Sequence, residues 1–90
     1  MGRLENRTAI VTGGAHGIGR AYCLGLAEEG ASVAVADLDL EAATQVADTI
    51  GERGGRAIAI HADVSSEAST IDMAATTVEA LGSVDVLVNN

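Results

Sequence analysis

The amino-acid sequence predicts an α/β fold, in which four parallel strands alternate with three helices and lie in the order 3-2-1-4. Three observations carry that prediction. Short apolar runs alternate with helical patterns of about a dozen residues, the signature of right-handed crossovers. A glycine follows each helical pattern, at Gly30, at Gly54-Gly55 and at Gly82, where a left-handed residue ends a helix without steric cost. The first strand reads as apolar on both faces, as expected when helices cover both sides of a parallel sheet.

Each element has its own local reason. Met1 to Arg7 reads as a short polar lead-in. The first strand spans about Thr8 to Val11. The glycine-rich stretch Thr12-Gly13-Gly14-Ala15-His16-Gly17-Ile18-Gly19 follows it. A helix then runs from about Gly17 to Glu29, with Ile18, Ala21 and Leu24, joined by Tyr22 and Leu26, spaced for a buried face. Gly25 reads as a point of close helix–strand contact. The second strand, Ser32 to Ala36, stops at Asp37. The second helix spans about Leu40 to Arg53, with Asp39 as its N-cap and Ala43, Val46, Ala47 and Ile50 turned inward. The third strand is Arg56 to His61. Ser65 or Ser66 caps a third helix that carries Glu67 in its first turn, where an anion suits the helix dipole, and that ends at Leu81. The last strand is Val84 to Val88, followed by Asn89-Asn90. The first two helices should share one face of the sheet and leave the third nearly alone on the other. The fourth strand becomes an apolar edge, which natural proteins avoid exposing.

Composition narrows the partners. The 90 residues carry a formal charge of −8 and no lysine, and the five arginines are scattered, so no basic stripe exists for a nucleic acid or an anionic membrane. Nothing approaches the roughly 18–20 apolar residues of a membrane span, and the first residues lack the apolar core of a secretion signal. The single cysteine, Cys23, reads as a buried, inert thiol, and a reducing, cytoplasmic compartment is expected. No His, Cys, Asp and Glu spacing suits a metal. His61 reads as a packed or edge residue.

The chemistry is concentrated at the carboxyl ends of the strands. Order reverses between strands 1 and 4, which opens a crevice there, and the glycine stretch leads into it. Gly13 lets the chain turn off the strand. Gly17 admits a pyrophosphate to the bare backbone, and Gly19 lets the helix pack tightly on the strand. The helix presents unpaired N–H groups to the anion. Asp37 ends strand 2 eighteen residues after Gly19, where a carboxylate can accept both ribose hydroxyls and repel a 2′-phosphate.

The glycine spacing, three residues between Gly13 and Gly17 and one between Gly17 and Gly19, with Thr12 before it, resembles the cofactor motif of the short-chain dehydrogenase/reductase family. The resemblance extends from Thr8 to Asn90. It implies a Rossmann-like three-layer parallel sheet, a partial doubly wound fold, and cofactor contacts from Gly13, Gly14, His16, Gly17, Ile18 and Gly19. It implies that Asp63 and Val64 read the adenine and that Asn90 lines the ribose side, Asn89-Asn90 matching half of an Asn-Asn-Ala-Gly motif. Relatives that prefer NADP carry a basic residue before the middle glycine or after strand 2. Those places hold His16 and Leu38, which favours NAD over NADP.

The family's catalytic Ser, Tyr and Lys have no counterpart here. There is no lysine, and the only tyrosine, Tyr22, lies in the first helix. Residues 1–90 are therefore expected to be the N-terminal, NAD-binding half-domain of a longer oxidoreductase, inactive alone. The whole enzyme would exchange hydride between nicotinamide and an alcohol or carbonyl substrate and would form a homo-oligomer. The alternatives are a non-catalytic nucleotide-binding or interaction module and a methyltransferase with a similar glycine loop. The Gly13–Gly17 spacing, Asp63-Val64 and Asn89-Asn90 speak against the latter.

Overall fold

Strands flanked by helices on both sides must be apolar on both sides, and the central pair here is. In the computed structural model, which describes residues 4–90, β1 (Thr8–Thr12) is buried along its whole length and β2 (Ser32–Asp37) at its four inner positions. Of the polar lead-in, Met1, Gly2 and Arg3 lie outside the described residues. The remaining elements are α1 (Gly17–Glu28), α2 (Leu40–Glu52), β3 (Ala57–His61), α3 (Glu67–Leu81) and β4 (Val86–Asn89). The sheet is parallel throughout, in the order β3-β2-β1-β4, as the sequence predicts. Register pairs Thr12 with both Ala36 and Asn89, and Asp37 with His61, so the glycine loop, Asp37, the residues after β3 and Asn90 emerge at one end.

Side-chain alternation sorts the core into two layers. Val11, Val33 and Val35 face α1 and α2 and pack with Cys23, Ala43, Val46 and Ile50. Ile10, Ala34, Ala36 and Ile60 face the other way, onto Met73 and Leu81 of α3. Two helices therefore share one face and the third covers the other. The α2 and α3 ends follow their signals. Asp39 caps α2 by accepting from the Ala42 N–H, and Ser66 caps α3 by accepting from the Ser69 N–H. Gly30, Gly54 and Gly82 all take positive φ at the helix exits. After α1 the Ala31 N–H reaches back to the Leu26 carbonyl and the Gly30 N–H to that of Ala27, the paired bonds of a Schellman motif. Arg56 donates to the Ala80 carbonyl at 2.7 Å, joining the start of β3 to the end of α3.

The expected face of α1 is corrected. Ile18 is 67% exposed and Tyr22 48%, and Ala21 is exposed as well. The expected Leu24 and Leu26 do pack inward, with Ala27, but the fully buried residues of α1 are Gly19 and Cys23. Smaller side chains let the helix axis approach more closely. Gly25 faces open space, with nothing within 4 Å of where a Cβ would stand, so it makes no close strand contact. Strand β4 begins at Val86 and not at Val84. Before it, Asp85 exchanges two bonds with Thr8: its carboxylate accepts from the Thr8 N–H at 2.8 Å, and its own N–H donates to the Thr8 carbonyl. A side chain takes the place of a ladder partner there. Leu87 is exposed, in keeping with an edge position.

Candidate functional site

The glycine loop is built from below. Gly13, at φ +64°, turns the chain off β1. Gly14 donates its N–H to the Ala36 carbonyl at 3.2 Å, and a Cβ there would stand 2.9 Å from the Cys23 Sγ and 3.1 Å from a Val35 methyl. Gly14 is thus required by the core beneath the loop, a role that its place in the motif does not disclose. Cys23 donates weakly to the Gly14 carbonyl. Burial pushes its thiol up to about 12, so it is a packing group at neutral pH. Gly19 makes a close approach too, but against the loop and not against the strand, as the sequence alone suggests. A Cβ on Gly19 would meet the Gly13 carbonyl group and lie 2.8 Å from the Asn90 amide nitrogen.

Gly17 is different. It has φ +53° and nothing within 4 Å of where a Cβ would stand, so the space in front of it is open. His16, the N-cap of α1, makes no side-chain capping bond, and the first turn of α1 carries no acid. The opening N–H groups of this helix are therefore left facing that open space.

Asp37 holds the loop from the side. One oxygen accepts from the Ala15 N–H at 3.1 Å and the other from the Asp39 N–H at 2.9 Å. A carboxylate has about four acceptor sites, so two remain for further donors. Asp39 uses Oδ1 to cap α2, at 3.0 Å from the Ala42 nitrogen, and places Oδ2 3.2 Å from the His16 Nε2. The Ala42 N–H, and after it His16, hold the Asp39 carboxyl below its ordinary value. This bridge between the glycine loop and the β2–α2 turn links two residues 23 apart in the chain, and no local pattern announces it.

Asp63 sits across from Asp37. Its Oδ1 accepts from both the hydroxyl and the N–H of Ser65, at 2.6 and 2.9 Å, and these bonds lower its carboxyl. Its N–H donates to the Ser69 hydroxyl. Gly13, Asp37, Leu38, Ala62, Asp63, Val64 and Ser65 line a cleft of about 380 Å³. Leu38 is 63% exposed and Val64 60%. Two large apolar side chains standing in water on the walls of one cleft suit a flat ring between them. In the sequence Leu38 stands out only as a non-basic residue. Its proximity to Val64 arises from the pairing of β2 with β3.

Thr12 closes the site on the other flank. Its hydroxyl faces the Val88 carbonyl at 3.3 Å and the Asn89 Oδ1 at 3.1 Å, and accepts from the Asn90 N–H at 3.2 Å. The Asn90 amide donates to the Gly13 carbonyl. Thr12, in the sequence only the start of the motif, is the knot that ties β4 to the loop. His61 is exposed at the end of β3, outside the cleft lining. Larger clefts, of about 460 and 470 Å³, open at the opposite end of the sheet around Gly30, Ser32 and Arg56. Among the described residues no helix begins there, so size alone does not choose the site. Among the described residues no group of three or more His, Cys, Asp or Glu side chains is placed to hold a metal, and no helix is long and apolar enough to cross a membrane.

Known proteins share this fold. The short chain dehydrogenase family model matches residues 7–90. A 7alpha-hydroxysteroid dehydrogenase of Escherichia coli is 42% identical over 98% of this chain and 34% of its own length. A sorbitol dehydrogenase of Cereibacter sphaeroides is 47% identical, over 98% of this chain and 33% of its own. The chain therefore spans about a third of the length of the curated relatives it matches. A solved 7 alpha-hydroxysteroid dehydrogenase in complex with NADH and 7-oxo glycochenodeoxycholic acid superposes with a TM-score of 0.95 at 42% identity, over 98% of this chain and 34% of that one.

Proposed function

We propose, from the premise that this chain belongs to the short-chain dehydrogenase family, that residues 1–90 are the half-domain that seats NAD in an oxidoreductase. The one observation that carries the reading is the start of α1: a helix N-terminus without a cap or an acid, open in front of Gly17 and flanked by Asp37. A dinucleotide fits the residues there. Its pyrophosphate would lie against Gly13, Gly14, His16, Gly17, Ile18 and Gly19. Its adenosine ribose would donate to Asp37, and its adenine would rest in the cleft between Leu38 and Val64, with Asp63 at the ring edge. Asn90 would border the ribose from the β4 side.

A carboxylate at Asp37 and no arginine or lysine at positions 16 and 38 favour NAD over NADP. When bound, the nicotinamide supplies hydride transfer. This chain supplies its binding and orientation only, since it has no lysine and its one tyrosine, Tyr22, stands in α1 away from the crevice. The substrate of the whole enzyme would be a small-molecule alcohol or its carbonyl partner, the chemistry common to the steroid and sugar-alcohol relatives. The single buried thiol suits the cytosol, and association of the whole enzyme into a homo-oligomer follows from the family resemblance.

The test is a titration of NAD and NADP against the protein and against Asp37→Ala, with thermal melting to check the fold. Loss of the ribose acceptor should weaken NAD about tenfold, the scale of a charge-assisted hydrogen bond, and narrow its lead over NADP. Unchanged affinities in a folded variant would overturn the assignment.

A further inference from the structure

The bridge between His16 and Asp39 has no part in the seat as described so far. Its position gives it one. His16 is the only side chain of the loop between Thr12 and Gly17 that can carry positive charge, and the N–H just before it, that of Ala15, is held by Asp37, which sets it on the side of the proposed ribose acceptor. Its ring nitrogen is engaged at 3.2 Å by the Asp39 carboxylate. We propose that Asp39 is a second determinant of cofactor choice, a positioning residue that withholds His16 from a 2′-phosphate. The inference rests on the dinucleotide reading above.

The physical case has three parts. A protonated imidazole paired with a carboxylate presents almost no net charge to a third group, so the pair offers a phosphate little attraction. The Asp39 charge also adds to that of Asp37, two residues earlier and bonded to it through the Asp39 N–H. Finally, the rest of the neighbourhood would accept an anion if His16 were released. Arg20, one helical turn along α1, shares with His16 the wall of a cleft of about 320 Å³, to which α2 contributes the neutral Gln45 and Thr49. Among the described residues Arg20 has no ion-pair partner. The charged groups around the imidazole are then Asp39 and Asp37 from the β2–α2 turn and Arg20 from α1.

Asp39→Asn isolates the effect, because asparagine caps a helix about as well as aspartate and can keep the Ala42 bond. The ratio of NADP to NAD affinity is measured at low salt and pH 6 for the protein, for Asp39→Asn and for Asp39→Asn with His16→Ala. An exposed ion pair sets the scale. The ratio should rise about fivefold in Asp39→Asn. The double variant should lose the rise. A ratio that stays put in Asp39→Asn, or a rise that survives the double variant, overturns the proposal. If Asp37→Ala weakens NAD while Asp39→Asn leaves the ratio alone, the seat stands and only this inference fails. A protein that binds neither dinucleotide overturns both.

Discussion

Helices α2 and α3 begin in the way that suits a helix considered alone, and α1 does not. Asp39 caps α2 with Glu41 in its first turn, and Ser66 caps α3 with Glu67 in its first turn. Helix α1 has an extended His16 that caps nothing and no acid behind it. A cap contributes roughly 1 kcal/mol and an acid in the first turn about 0.3–1 kcal/mol. The sequence supplies both at two helices and neither at the third. What α1 forgoes locally it keeps available as unpaired N–H groups beside Gly17, and the surrounding core holds the helix in place without them. On the proposed dinucleotide reading, the two kinds of N-terminus separate residues kept for folding from residues kept for a ligand.

The same division runs through the glycines of the loop, and it can be broken most sharply there. Gly19→Ala would drive a methyl into the Gly13 carbonyl group, backbone that cannot swing aside. The loss of stability should be on the order of 3 kcal/mol, read as a large drop in the denaturant midpoint. Gly17→Val meets nothing within 4 Å. Its cost is the left-handed φ, about 1–2 kcal/mol, and the protein should still melt cooperatively. NAD affinity, however, should fall by at least about 100-fold, because the branched side chain fills the space against the helix N-terminus. If Gly17→Val binds NAD normally, or Gly19→Ala is as stable as the parent, the assignment of one glycine to ligand and the other to fold is wrong.

Giving α1 what its neighbours already have is a gentler test. Ile18 is exposed in the first turn. Ile18→Glu supplies the missing acid and should raise stability by about 0.3–1 kcal/mol. The same carboxylate stands where a pyrophosphate would lie and should weaken NAD about tenfold. Opposite signs in melting temperature and affinity are the expected signature. A variant that gains in both, or loses in both, would show that the start of α1 is an ordinary helix end.

Most of the architecture was legible because its signals are local. The apolar strand runs, the C′ glycines and the caps at Asp39 and Ser66 each act within a few residues of themselves. The inward face of α1 was not legible. Both of its stripes are apolar or small, Ile18 with Tyr22 on one and Gly19 with Cys23 on the other, and helical periodicity cannot choose between two such stripes. Packing chose the smaller one, with Cys23 set in the core beneath the loop and Gly19 against the Gly13 carbonyl. At the candidate site the glycine stretch and Asp37 were singled out by spacing, and Asn90 by the family resemblance. The His16–Asp39 bridge, the Leu38–Val64 walls and the Thr12 knot depend on which strands lie side by side, and they become visible only once Thr12 is set between Ala36 and Asn89.

The contrast between helix ends also has a pH dependence, the smallest effect expected here. Asp39, Asp63 and Asp85 all have carboxyls lowered in the folded protein, chiefly by the hydrogen bonds of Ala42, Ser65 and Thr8 respectively. A carboxyl lowered by folding contributes stability above its unfolded value, and that contribution is lost as pH falls through the folded one. Melting temperature should therefore be level from neutral pH down to about pH 5 and decline below about pH 4. Asp39 caps α2, Asp63 braces the turn into α3 and Asp85 leads into β4, so acid loosens the sites where side chains hold the backbone. Helix α1 has no such carboxylate in its first turn. Amide exchange measured at pH 3 should then rise first at Ala42 and Ser65, before the first turn of α2 or α3 opens as a whole. Protection that is lost uniformly across the three helices would mean that these carboxylates do not distinguish one end from another.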